Sequence, residues 1–245
     1  MAQHAGEGHS PLATDPSALQ LARQPTDARR RRGRPAMVTS EQITAAALEM
    51  GVAAITMTSV AQRLGVNHAT LYRYVSGRDD LVRNAIDRAV TLAEFPEQCE
   101  DWQAFLRETA HALFDMCDAY PGIATELAAG TYSPMILQRG ATLMACLTRM
   151  AFSPTDAVLA LDLVTGLVID HCRRAEQMDG RVPSASMPSR SELAQSWPRV
   201  EPEHEESMQD TLDAGQQAIA QRPRDWFDRK LRIALSGIAA ELAPR

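Results

Sequence analysis

One short segment, residues 57–74, constrains the fold of this chain more than any other. Its spacing predicts two helices joined by a tight turn. Ala61 is small enough for the helices to cross closely, and Gly65 can adopt the positive φ that the turn requires. Four apolar residues would fill the small core between the helices: Val60, Leu64, Val66 and Leu71. This pattern is typical of a helix-turn-helix, although an ordinary helical hairpin with a glycine turn has the same outline.

The charge around this segment favours a polyanionic partner. Residues 29–90 contain 10 Arg against 5 Asp and Glu, whereas the whole chain has a net charge of −6. Taken alone, this imbalance could equally be random scatter over a solvated surface. A run of arginines lies just before the helices, however, and such an arm typically contacts phosphates or a minor groove. We therefore expect DNA contacts from Arg31, Arg32 and Arg34.

The second helix of the motif presents polar side chains to a duplex. Residues at the N-terminal end of such a helix usually reach the base edges, which makes Asn67, His68 and Ala69 the candidates for base contacts. Ala69 could meet a thymine methyl group. Thr70 and Arg73 are also expected to face outward. Phosphate contacts are predicted for four other side chains: Thr58, Ser59, Tyr72 and Arg78.

Apolar residues recur at helical spacing through the rest of the chain, and no alternating strand pattern occurs. The predicted class is therefore all-α. Capping and breaking residues predict helices at about 40–50, 58–64, 67–75, 78–90, 101–119, 122–129, 134–150, 155–178, 207–221 and 223–242. The second of these is expected to be capped by Thr58.

Three regions are expected along the chain. Residues 1–34 have no apolar period and are predicted to be a disordered extension that carries the arginine arm. Residues 35–83 would form the helix-turn-helix domain, and residues 84–245 a larger helical body. Within that body, residues 179–206 combine four prolines with five serines and are predicted to be a mobile loop.

Several function classes find no support in the sequence. The four cysteines, at positions 99, 117, 146 and 172, are too widely spaced for a zinc site. No stretch of 18 apolar residues and no signal peptide occurs, so the chain is expected to be cytoplasmic and without a membrane partner. A phosphate-binding glycine loop, a nucleophile elbow and an HExxH motif are all missing, which predicts a protein that is not an enzyme.

Two sets of residues resemble the TetR family of bacterial transcriptional regulators. In the N-terminal part these are the run Ile55–Val66, then Ala69–Val75 and Asp80-Leu81. The body is similar, more patchily and over about 100–175, to the tetracycline repressor branch of that family. The matching positions there are 101–107, Tyr120 with Gly122, Gly130-Thr131 and Phe152-Ser153.

The resemblance implies a homodimer that binds a palindromic operator and holds a small molecule in its body. Helices 155–178 and 224–242 of each subunit would form a four-helix interface, and effector binding would release the operator. Candidate residues for the shared seam are Val164, Leu167, Val168, Trp226, Leu231 and Leu235. Ala128 stands where the tetracycline repressor has a metal-binding histidine, so a metal-chelated tetracycline is not the expected effector.

The effector pocket is expected among helices 101–119, 134–150 and 155–178. The predicted lining suits a flat, largely apolar drug or polyketide-like molecule: Trp102, Phe105, His111, Phe114, Thr131, Met135 and Met144. His111 and Thr131 would orient the ligand, although His111 could instead be a core histidine. Asp170, His171 and Cys172 are adjacent on one helix and point in different directions, so neither a metal nor another cofactor is predicted.

These features predict a ligand-responsive transcriptional regulator, most simply a repressor that leaves its operator when the effector binds. The fourth helix, about 78–92, would link the pocket to the DNA-binding domain. Two alternatives remain open at this point. The chain could be an all-α ligand-binding protein or enzyme whose N-terminal helices do not bind DNA, and the same fold could activate transcription instead.

Overall fold

The computed structural model describes residues 38–98, 100–183, 187–198 and 206–244. Within these ranges the chain is helical and contains no strand, which confirms the all-α class. The helices are α1 (Ser40–Glu49), α2 (Met57–Leu64), α3 (His68–Leu71), α4 (Arg78–Leu92), α5 (Trp102–Ala119), α6 (Ile123–Ala128), α7 (Pro134–Arg149), α8 (Pro154–Met178), α9 (Arg190–Ser196), α10 (Glu206–Ala220) and α11 (Pro223–Glu241). The predicted extension 1–34, with Arg31, Arg32 and Arg34, lies outside the described residues.

The N-cap of α2 lies two residues earlier than predicted. Thr56, rather than Thr58, is the N-cap, so that prediction is wrong. The Thr56 hydroxyl accepts from the Ser59 backbone N–H at 2.9 Å, and the Ser59 hydroxyl oxygen accepts from the Thr56 backbone N–H at 2.9 Å. This reciprocal pair satisfies two amide groups, whereas a cap at Thr58 would leave Ser59 without its partner.

The predicted second helix of the motif is shorter than expected. It ends at Leu71, and residues 72–74 continue as a turn instead of reaching Val75 as helix. The Asn67 side chain caps it by accepting from the Ala69 N–H at 2.9 Å. Leu71 and Val75 are both buried, so the short helix is held by packing. Gly65 has a φ of 66° at the end of α2, as the turn between the two helices requires.

Helix α4 belongs to two packing units at once. It packs against α1 on one side and against α7 on the other. We call α1–α3 the head and α5–α11 the body, and α4 connects them. The domain boundary predicted at residues 83 and 84 falls inside this helix. Its buried residues Leu81, Val82 and Ile86 are continuous with the core.

The body is built around α8, which packs against α5, α6, α7 and α11. Phe105, Leu147, Val164 and Phe227 are fully buried where these helices meet, and removing such apolar side chains from water stabilises the fold. None of the helices in the described ranges is long and apolar enough to cross a membrane.

Part of the predicted loop 179–206 is helical. Helix α9 lies inside it, with Ser189 as its N-cap and Glu192 completing a capping box. The Trp197 indole N–H donates to the Leu212 carbonyl oxygen at 2.9 Å and so holds α9 against α10. The density of prolines and serines suggested a loop, but a serine followed three residues later by a glutamate is also a helix start.

Candidate functional site

The N-terminal end of α3 presents a continuous exposed surface. Asn67, His68, Ala69, Tyr72 and Arg73 are exposed. The rings of His68 and Tyr72 lie edge to face with their centroids 6.3 Å apart, which couples the positions of the two side chains. The structure therefore brings together five of the predicted DNA-contacting residues on one surface.

The remaining predicted contacts of the motif differ in availability. Thr70 is half-buried, and Thr58 is exposed on the first turn of α2. The hydroxyl of Ser59 is already engaged, because it lies 2.9 Å from the Ala54 carbonyl oxygen and also completes the cap with Thr56. The Ser59 backbone N–H is engaged as well, since it donates to the Thr56 hydroxyl at 2.9 Å. Ser59 thus shapes the start of α2, and neither group is left free for the predicted phosphate contact.

Arg78, the first residue of α4, joins the head to the body. Its Nε donates to the Ile55 carbonyl oxygen at 3.2 Å, and one terminal nitrogen donates to Glu126 Oε1 at 2.7 Å. Glu126 lies on α6, and its other carboxylate oxygen accepts from the Thr131 hydroxyl at 3.0 Å. The sequence suggested a phosphate contact for Arg78 and a ligand contact for Thr131, but the structure links them through Glu126.

The turn between α3 and α4 is fixed by Asp80. Its carboxylate accepts from the Ser76 hydroxyl and from the Ser76 backbone N–H, the latter at 2.9 Å, and also pairs with Arg83. The hydrogen bonds from Ser76, followed by that from Arg83, lower the pKa of Asp80 to about 2. The carboxylate therefore remains ionised across the physiological range and holds the start of α4 in place.

A cavity of about 520 Å³ lies in the body between α6, α7 and α8. Its wall is mainly apolar and includes Phe95, Leu113, Leu127, Ile136, Leu143, Met144, Leu161 and Ile169. The side chains that bring polar atoms to it are Tyr132, Arg139, Asp162 and Thr165. A volume of this size and lining can enclose a drug-sized molecule. We call it the body cavity.

Of the pocket residues predicted from the sequence, Met144 lines the body cavity, and the others lie elsewhere. Trp102 packs edge to face on Phe152 with 5.5 Å between centroids. Phe105 is fully buried in the core, and Met135 is exposed near the start of α7. The Thr131 hydroxyl donates a hydrogen bond to Glu126. The predicted set therefore does not form one site.

His111 and Phe114 lie on faces of α5 that do not line the body cavity. His111 Nε2 is 3.0 Å from Asp228 Oδ1 on α11, and its ring borders a second cavity of about 460 Å³ between α4 and α5. Phe114 packs on Phe227 at 5.0 Å between centroids. Both residues thus contribute to the contact between α5 and α11.

Two helical stripes, of which the prediction named only Met144, form much of the cavity wall. On α7, Ile136, Gly140 and Leu143 recur every three or four residues and continue to Met144. On α8, Leu161 and Thr165 lie one turn apart. The 3.6-residue period was present in the sequence, but periodicity alone does not show whether a stripe faces core, cavity or partner.

A buried carboxylate on α8 holds the start of α6. Glu176 is only 3% exposed, and its two oxygens accept from the Gly122 N–H at 2.7 Å and from the Thr125 N–H and hydroxyl at 3.2 and 3.1 Å. Burial raises the pKa of Glu176, while the hydrogen bonds from Gly122 and Thr125 oppose that rise. Glu176 therefore helps to position α6, together with the buried side chains of that helix.

Clusters of three or more potential metal ligands are not found among the described residues. His171 is occupied otherwise: its Nε2 donates to the Pro223 carbonyl oxygen at 2.8 Å, and burial lowers its pKa. The described residues thus form an exposed polar surface on the head, an apolar cavity in the body, and an ion pair between α4 and α6.

Comparison with known proteins assigns the chain to a family. The family model of the tetracyclin repressor-like C-terminal domain matches residues 95–242, well over half of the chain. No curated protein matches the sequence.

Solved structures share the fold at low sequence identity. The Streptomyces coelicolor TetR family protein ActR, in complex with actinorhodin, is 21% identical, covers 83% of this chain and 97% of its own, and gives a TM-score of 0.65. A possible TetR family transcriptional regulator from Streptomyces coelicolor A3(2) is 22% identical over 82% and 99% with a TM-score of 0.68. TetR from Acinetobacter baumannii AYE is 23% identical over 83% and 97% with a TM-score of 0.56. The chain belongs to the TetR family of transcriptional regulators, as the match over 95–242 shows.

Proposed function

We propose that the protein is a repressor that binds a near-palindromic operator as a homodimer and is released when a small, largely apolar molecule occupies the body cavity. One observation carries this proposal. Helix α6 lines the cavity with Leu127 and Ala128 and, through the preceding residue Glu126, holds Arg78 at the start of α4. A change at the cavity wall therefore has a short physical path to the head.

The DNA side of the proposal rests on the exposed end of α3. We propose that His68 and Ala69, at the N-terminal end of α3, contact base edges, because residues there do so in helix-turn-helix proteins. The exposed residues Tyr72, Arg73 and Thr58 would contact the phosphates. We assign recognition of the DNA bases to His68 and Ala69, because the Asn67 side chain also serves as the N-cap of α3.

The homodimer is supported by apolar side chains that one subunit leaves exposed on α8 and α11. Leu159, Leu163 and Ile233 are 45%, 53% and 74% exposed. In contrast, Val164 and Leu231, which were expected in the seam, are buried inside the subunit, as are Val168 and Leu235. The proposed interface therefore uses the outer stripe of these helices, next to the predicted one.

The ligand side rests on the size and chemistry of the body cavity. Its apolar wall favours a flat, carbon-rich molecule, and a similarly folded relative is known in complex with actinorhodin. Such a ligand releases DNA only if it binds the DNA-incompetent state more tightly, and an almost complete switch requires about 5.5 kcal/mol of preference. In a dimer, ligand binding in the two cavities would together supply this free-energy difference.

The ion pair between Arg78 and Glu126 offers a direct test. Glu126→Gln weakens the link between α6 and α4 but leaves the cavity wall unchanged, so we expect ligand affinity to persist while the ligand concentration needed to release DNA rises about tenfold. Ligands would first be found by thermal shift with flat polycyclic compounds, including actinorhodin. Ligand binding and DNA release would then be measured by fluorescence anisotropy.

Glu49→Gln is the matched control for this test. It breaks another Arg–Glu pair, Glu49 with Arg63 at 3.2 Å, which lies in the head away from the cavity. We expect Glu49→Gln to leave the release curve unchanged. If Glu126→Gln behaves like Glu49→Gln, the proposed path through α6 is wrong.

A further inference from the structure

Arg139 is the one cationic side chain on the wall of the body cavity. It lies on α7, is half-buried, and its guanidinium carbon stands 5.6 Å from the centroid of the Phe95 ring. Neither a salt bridge nor a hydrogen bond is formed by its side chain within the described residues, whereas Arg78, Arg83 and Arg173 each pair with a carboxylate. A guanidinium held over an aromatic ring at an apolar cavity keeps its five donors for another partner.

The other charged side chain of the wall, Asp162, is in a different environment. Asp162 lies on α8 and is exposed, so water can solvate its charge. Both side chains line the cavity, but no salt bridge joins them in this part of the structure. A ligand charge would gain more at Arg139, because partial burial reduces the competition from water.

We infer that the effector is an organic acid: a flat apolar body lies among Ile136, Leu143 and Leu161, and an acidic group pairs with Arg139. The inference rests on the proposed function, which makes this cavity the effector site. A carboxylate matches the guanidinium fork with two parallel hydrogen bonds, and Arg139 then determines specificity without contributing to DNA binding. A carboxylic acid and its neutral ester would therefore be distinguished at this residue.

The test uses three probes that share one ring system: anthracene-2-carboxylate, its methyl ester, and 2-(aminomethyl)anthracene. Binding to the full chain would be measured by fluorescence titration. We expect the carboxylate to bind at least about tenfold more tightly than the ester, which corresponds to the strength of a charge-assisted hydrogen bond. In Arg139→Gln this preference is lost because the acid loses far more affinity than the ester does, and Arg139→Lys retains part of it. Asp162→Asn leaves the preference for the acid intact.

A cavity-filling variant locates the probes. A Cβ at Gly140 meets no atom within 4 Å, and Gly140 lines the body cavity, so Gly140→Trp adds a bulky ring at the cavity wall without a clash at its Cβ. It should remove binding of all three probes while the melting temperature stays close to that of the wild type.

The outcomes separate the inference from the function on which it rests. Equal binding of acid and ester, or tightest binding of the amine with loss in Asp162→Asn, overturns the inference but keeps the cavity as a ligand site. Failure of every probe to bind, or binding that survives Gly140→Trp, rejects the cavity as the site and with it both proposals.

Discussion

At the scale of single residues, the molecule uses a few polar side chains to position whole helices. Arg78 illustrates this use, since its contacts with Ile55 and Glu126 span the head and the body. The sequence could not show this role, because the partners are 23 and 48 positions away along the chain. An exposed arginine beside a helix-turn-helix is instead typical of a phosphate contact.

Glu176 gives the chain a stability that depends on pH. Burial raises its pKa above the ordinary 4.5, so the folded protein binds this proton more readily than the unfolded chain does. The stabilisation from protonation is complete below 4.5 and is lost as the pH rises through the raised pKa. The free energy of unfolding of the wild type, relative to Glu176→Gln, should therefore fall as the pH rises from 4.5 through the raised pKa.

Urea unfolding at a series of pH values measures this difference. Subtracting the free energy of unfolding of the variant from that of the wild type cancels the contribution of His171. Burial lowers the pKa of His171, so its contribution to stability is lost as the pH falls, whereas that of Glu176 is lost as the pH rises. A difference that does not change with pH would mean that Glu176 titrates like an exposed glutamate, contrary to its burial.

At the scale of helices, the bounds of most helices could be predicted from the sequence, but the helices against which each one packs could not. Capping residues and the 3.6-residue period indicated the bounds of α1 and α5–α8 to within one or two positions. The predicted pocket residues lie at several places in the body for a different reason. Helix α5 is apolar on several faces, so Phe105, His111 and Phe114 each looked suitable, and the packing against α8 and α11 decides which side of α5 remains open.

The contact between α6 and the head depends on a glycine. Gly122 has a φ of 99°, and a Cβ there would lie 2.4 Å from the Ala53 nitrogen, whose N–H donates to the Pro121 carbonyl oxygen. Gly122→Ala should therefore lower the free energy of unfolding by about 2–4 kcal/mol, combining left-handed strain with a backbone clash. Chemical denaturation measures the loss.

Gly130→Ala is the matched control for this prediction. Gly130 also has a positive φ, 84°, but a Cβ there meets no atom within 4 Å. Its substitution should cost only the strain of the left-handed conformation, about 1–2 kcal/mol. Similar losses at both positions would show that the approach of Ala53 to Gly122 contributes nothing.

At the scale of the whole molecule, the exposed stripe of α8 and α11 predicts the assembly. Ile233→Asp places a charge in the proposed seam, and we expect it to convert the proposed dimer to a monomer and to weaken operator binding with it. Light scattering measures the mass in solution. Leu92→Asp is the control, because Leu92 is 53% exposed on α4, outside the seam, and its substitution should leave the dimer intact. A dimer that survives Ile233→Asp would place the interface elsewhere.

The most direct test of the central account is selection of DNA by the full chain from a random duplex library. We predict that an inverted repeat is enriched, with half-sites about one helical turn apart, that His68→Ala loses the preference for it over random DNA, and that an effector bound in the body cavity releases it. Enrichment of no common sequence, or an enriched operator that stays bound when the cavity is saturated with ligand, would contradict a repressor controlled through this cavity.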